Sequence, residues 1–98
     1  MIIHVVAFKW KDGIPQGHVA TVKSQLLEFA SSLPEVRSYR CGPDVGASEM
    51  GNFDFAIVAE FDGVDDWRVY DKHPRHEAIR GGVVRPWIET RASVQFES

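Results

Sequence analysis

Tyr70-Asp71-Lys72-His73-Pro74-Arg75-His76 brings a phenol, two imidazoles and a helix-starting proline into one short run. A neutral imidazole beside a tyrosine hydroxyl can remove a proton and steady a carbonyl oxygen that takes up charge. A further imidazole, His4, lies in the first apolar stretch. The same run could equally be a turn between two short helices. In that case His73 is a cap or surface residue and His76 packs against a sheet.

The surrounding pattern decides where these groups sit. Residues 2–10 alternate with apolar side chains on both faces: His4, Val6, Phe8 and Trp10 on one, Ile3, Val5 and Ala7 on the other. A strand covered on both sides reads this way. Pro15 then marks a helix start, and Val19, Val22, Leu26, Phe29 and Leu33 form one helical stripe, widened by Leu27 and Ala30, that Pro34 stops. A more polar strand is predicted over 36–41, near a sheet edge because Arg37, Ser38 and Arg40 interrupt it. Gly42-Pro43 opens a polar loop, and a second clear strand is predicted over 53–61, with Phe53, Phe55, Ile57, Ala59 and Phe61 on one face.

Val64, Trp67 and Tyr70 pattern a short helix that breaks before Pro74. Asp71 or His73 caps the next helix, which Gly81-Gly82 should weaken or stop. His76 then lies in a first turn, where the positive helix end disfavours imidazolium and keeps the ring able to accept a proton. The last strand, about 88–97, sets Ile88, Ala92, Val94 and Phe96 against Glu89, Arg91, Ser93, Gln95 and Glu97.

The order is βαββαβ, and its economical solution is a ferredoxin-like α+β fold with a four-stranded antiparallel sheet and helices on one face. If His4 points under the helices, it shares a space with Tyr70 and His76. A polar group there needs a partner, whether protein, water or ligand. The other sheet face also carries apolar residues, so a second copy packing sheet against sheet is the simplest cover, and a homodimer is expected.

Composition narrows the functional classes. The chain has 98 residues, expected to form one domain over 1–98, and a formal charge of −3 with no basic stripe, which argues against nucleic acid as partner. No run approaches the roughly 18 apolar residues of a membrane span. The start, Met1-Ile2-Ile3-His4-Val5, has no basic leader, and the single Cys41 fits a reducing compartment, so a cytoplasmic protein is expected. No metal is expected, since His73 and His76 would need His4 and Cys41 to converge with them. Loop 42–52 lacks a strand-to-helix phosphate motif, so nucleotide binding is not indicated. Trp10, Trp67 and Trp87 read as packing residues. Arg37, Arg40, Arg80, Arg85 and Arg91 default to solvated surface, although any could meet an anionic substrate at a pocket mouth.

The chain as a whole resembles the stress-responsive dimeric α/β-barrel (Dabb) family, whose members include a plant polyketide cyclase that forms olivetolic acid. The resemblance rests on Ile3-His4-Val5-Val6-Ala7-Phe8-Lys9-Trp10-Lys11, Leu33-Pro34-Glu35-Val36, Phe53-Asp54-Phe55-Ala56, the Tyr70–His76 run and a terminal strand ending in Phe96. It implies a homodimer whose sheets close into a barrel, and a cavity with His76 as base, Tyr70 as orienting or oxyanion group and His4 on the lining strand. It further implies walls from Val6, Phe8, Val22, Leu26 and Val58, with His73 nearby, and no cofactor. The implied reaction removes a proton between two carbonyls of a poly-β-keto substrate, after which the carbanion closes a ring by aldol addition. The first helix departs from the plant enzyme in having aliphatic Val19 and Val22, with Gln25 adjacent. The alternative is a dimer that binds an apolar small molecule, or a stress-associated dimer, without turnover.

Overall fold

The computed structural model describes all 98 residues. Strand β1 (Ile2–Trp10) leads into α1 (His18–Ser31), followed by β2 (Ser38–Pro43) and β3 (Phe55–Phe61). Helices α2 (Val64–Lys72) and α3 (Pro74–Ile79) run on through a π-helical turn (Arg80–Val84) and a 3₁₀ turn (Arg85–Trp87) into β4 (Ile88–Glu97). The strands pair antiparallel in the order β2-β3-β1-β4, which is the ferredoxin-like topology expected of βαββαβ.

Strand alternation sets the two faces of this sheet. His4, Val6, Phe8 and Trp10 point to the helices with Phe55, Ile57, Ala59 and Phe61, and all eight are buried. Helix α1 lays Val22, Leu26, Phe29 and Ala30 onto them. It starts where Gly17 takes a left-handed φ of 83°, a conformation that suits glycine, and Pro34 follows its end. Asp65 and Asp66 in the first turn of α2, with Lys72 in its last, match the helix dipole.

Three expectations shift. Strand β2 begins at Ser38 rather than 36, because Val36 closes a turn onto Leu33 through a 3.2 Å backbone bond. Strand β3 begins at Phe55 rather than 53. Asp54 instead ties the sheet end, its carboxylate accepting the Trp10 N–H at 2.9 Å and its own N–H donating to the Phe8 carbonyl at 2.8 Å. In β4, a bulge against Lys9 and Trp10 sets Ile88 opposite Trp10, on the helix face. Ile88 therefore parts from Ala92, Val94 and Phe96, with which simple alternation had grouped it.

The face away from the helices is apolar at its centre. Val5 pairs with Val58 and Val94, Ala7 with Ala56 and Ala92, and Ile3 with Phe96. Val94 is 57% and Phe96 49% exposed, so nothing within the chain covers this surface.

Candidate active site

Of the buried residues only two are polar or charged, His4 at 7% and His76 at 6% exposure, and both border one cavity. His4 arrives there by strand alternation. Tyr70 and His76 arrive through the break between α2 and α3. His73 is extended (φ −64°, ψ 134°), as a residue before proline must be, and Pro74 has no N–H to leave unpaired. The His73 ring caps α3, its Nδ1 accepting the Arg75 N–H at 3.1 Å. The chain turns sharply here, so Tyr70 and His76 come together with ring centroids 4.2 Å apart. Phe29 lies against both, its ring 5.7 Å from Tyr70 and 5.5 Å from His76.

The cavity is small, about 40 Å³. His4, Tyr70, Asp71, His76, Arg80 and Arg91 make its polar side, and Val6, Phe8, Leu26, Ile57 and Val84 its apolar side. His76 Nδ1 lies 3.2 Å from the Asp71 carbonyl oxygen. A carbonyl only accepts, so this contact assigns the proton to Nδ1 and leaves the Nε2 lone pair unused. His4 carries the opposite tautomer: the Gln95 side-chain amide donates to its Nδ1 at 3.0 Å, which leaves the proton on Nε2. The Tyr70 hydroxyl is 2.9 Å from that of Tyr39.

Burial keeps the imidazoles neutral. Burial and then the Arg80 guanidinium lower His76 from 6.5 to about 4. His4 is held below its ordinary value by burial and then by Arg91. Burial pushes the Tyr70 phenol up to about 12, against the pull of the Tyr39 hydrogen bond and of Arg80. Tyr39 is pushed up further, again chiefly by burial. Around the rim, Arg80 donates to the Asp71 carboxylate at 2.9 Å and to the Asp71 carbonyl at 2.8 Å, which braces the carbonyl that orients His76.

A stability consequence follows. The unfolded chain binds a proton at His76 near 6.5, the folded chain only near 4, so the unfolded state holds more protons between these values. Stability is therefore full above the upper value and falls as pH drops through the window, by about 2 kcal/mol after allowing for solvent screening. His4 adds in the same direction. Urea unfolding at neutral pH and at the acid end of the window measures the loss, and His76→Gln should flatten it. Identical profiles for wild type and variant would refute the buried neutral imidazole.

The structure brings His4, Tyr70 and His76 to one space, with Val6, Phe8 and Leu26 in its wall. Three expected wall residues are elsewhere. Val58 sits opposite Val5 on the far face, one residue out of phase with Ile57, which takes the wall position instead. Val22 is wholly buried beneath α1 in the core rather than at the cavity. His73 is spent on its cap. Residues that the sequence reading missed are Tyr39, Asp71 and Gln95, with Arg80 and Arg91 left there as surface. Tyr39 and Gln95 stand in one cross-strand row with Ala59 and His4, which only the register reveals. No three His, Cys, Asp or Glu side chains converge as metal ligands. No helix is long and apolar enough to cross a membrane.

Comparison with known proteins agrees with this architecture. A dimeric ferredoxin-like protein of unknown function from Thermobifida fusca is 36% identical, with a TM-score of 0.90, over 99% of this chain and 90% of that one. A dimeric protein of unknown function with a ferredoxin-like fold from Bacteroides fragilis is 27% identical, with a TM-score of 0.78, over 99% and 95%. The hydroxynitrile lyase of Passiflora edulis shares the fold at 17% identity, with a TM-score of 0.81 over 97% and 90%. No curated protein matches the chain significantly. The family model of the stress responsive A/B barrel domain matches residues 2–98, and the chain belongs to that family.

Proposed function

We propose that this protein is a cofactor-independent enzyme in which His76 Nε2 removes a proton from a carbonyl-activated substrate. One observation carries the reading: a buried, neutral imidazole has one nitrogen tied to a backbone carbonyl and the other unused, beside a tyrosine hydroxyl at a cavity. With Tyr39 donating to the Tyr70 oxygen, the Tyr70 hydrogen is left for a substrate oxygen. The substrate C–H bond breaks, its proton passes to Nε2, and its electron pair moves onto the carbonyl oxygen, where Tyr70 donates a hydrogen bond. A base near 4 is weak in the empty site. The enolate forming beside it raises the proton affinity of the imidazole in a poorly hydrated space. His4 Nε2–H supplies a second donor to the same space.

The resulting carbanion can close onto a distant ketone, as in the aldol closure of a poly-β-keto chain: the new carbon–carbon bond displaces the ketone π pair onto its oxygen, which takes back the proton held on His76 Nε2. Pockets for drug-sized ligands run to about 300–1,000 Å³. The 40 Å³ cavity thus admits only the reacting atoms, with the rest of a substrate outside it. Lyase chemistry belongs to a protein 17% identical, a likeness that concerns the fold alone.

The working unit in this reading is a homodimer joined through the open sheet face. Its apolar centre at Val5, Val58 and Val94 is the support, along with the dimeric state stated for the relative 36% identical. Val45 and Phe53 extend that surface around a cleft with Ala7 and Ala56. A reducing, cytoplasmic setting suits the unpaired Cys41.

Deuterium incorporation into small β-keto compounds in D₂O tests the chemistry. Wild type should exchange the activated carbon faster than buffer, and Tyr70→Phe should lower the rate by about 10²–10³-fold, the usual loss for one oxyanion donor. Small-molecule binding without exchange in wild type would favour the non-catalytic binder.

A further inference from the structure

The inner cavity adjoins a larger cleft of about 240 Å³, and the two share Phe8, Arg80, Val84 and Arg91. Arg85 and Ile88 complete the outer cleft. Its floor is therefore apolar and its rim carries three guanidinium groups. General basicity does not explain them, since the chain has a net charge of −3.

Two of the three are balanced. Arg80 bridges Asp71 and Glu77, each at 2.9 Å, and Arg85 meets Glu77 at 3.2 Å. Arg91 forms no ion pair, and the one hydrogen bond its side chain makes goes to the Ser93 hydroxyl at 3.1 Å. It stands across from Phe8 on the helix face of β4, so its strand position directs it to the cleft. The π-helical turn Arg80–Val84 contributes both its end residues to the same walls. Such wide turns recur at functional sites. The field of the rim reaches inward as well: Arg91 helps hold His4 neutral and Arg80 does so for His76.

We propose that the ligand is a short oxo acid whose single carboxylate pairs with Arg91 in the outer cleft while its carbonyl-activated carbon enters the inner cavity. One uncompensated guanidinium matches one monoanion, and the planar fork of arginine fits a carboxylate with two parallel hydrogen bonds. A phosphate dianion would carry more charge than the rim leaves unbalanced. The fate of the carbon rests on the proton-transfer reading above, whereas the binding of the carboxylate does not.

NMR titration with acetoacetate and with its neutral methyl ester separates the two. Wild type should bind acetoacetate about tenfold or more tightly than the ester, as a charge-assisted pair allows. Arg91→Gln should erase that preference, Arg68→Gln on the exposed side of α2 should keep it, and added salt should narrow it. His76→Ala should keep the binding preference while losing deuterium exchange. Equal affinity for acid and ester, a preference that survives Arg91→Gln, no saturable binding of acetoacetate, or tighter binding of inorganic phosphate would each overturn the carboxylate site. Exchange of both compounds together with equal affinity for them would overturn the carboxylate site and leave the base standing. A clear acid preference without any exchange would do the reverse.

Discussion

Replacing His76 with alanine should lower kcat/KM for proton removal by about 10²–10⁴-fold, the range for loss of a positioned general base. The reason is geometric. His76 presents an unprotonated nitrogen at the cavity because its other nitrogen is fixed on the Asp71 carbonyl, and no second neutral base replaces it. His4 carries its proton on the cavity side and has its acceptor nitrogen engaged by Gln95. Since His76 packs on Phe29 and Tyr70, alanine also removes core contacts, so His76→Asn is the companion variant. Both should stay folded by circular dichroism and lose exchange alike. Equal product formation by wild type and either variant would remove His76 from the mechanism. The acid limb of the kcat/KM profile should lie near 4, below the ordinary imidazole range, because that profile reports the free enzyme.

Val94→Glu should convert the proposed dimer to a monomer, because a carboxylate buried without a partner at the interface costs about 3–5 kcal/mol, and should lower the unfolding midpoint by the stabilisation that dimerisation supplied. Within an isolated chain the same substitution would be mild. Val94 is 57% exposed on an edge strand, and surface changes of this kind usually stay within about 0.5 kcal/mol. The contrast makes the variant diagnostic: sedimentation gives the assembly state and chemical unfolding gives the stability. An unchanged sedimentation coefficient and unchanged unfolding midpoint would show that this face is not the interface. Thr90→Glu, nearer the end of the same face, should have a smaller effect because a rim charge keeps its water.

The proline break was legible in the chain itself. A residue before proline is extended and proline suits a first helical position, so Tyr70 and His76 had to approach across a short helix junction. The burial of His4 with Val6 and Phe8 was legible too, because alternation within one strand is a local property. Two expectations failed for different reasons. The family resemblance put Val58 at the cavity, although alternation already set it on the face opposite Ile57; it shares a row with Val5 and Val94, and Ile57 takes the wall. Ile88 changed face through a bulge that no single-strand pattern shows.

The sequence by itself determined the βαββαβ order and the apolar character of both central sheet faces, since periodicity, proline and turn residues act locally, and its motifs carried the resemblance to the family. Tertiary structure alone decided the state of the site. Register placed Tyr39 and Gln95 in the row of His4, the helix junction aimed the Asp71 carbonyl at His76, and burial lowered that imidazole. These are contacts between groups far apart in the chain, or products of desolvation by the whole fold. A run of residue types carries neither.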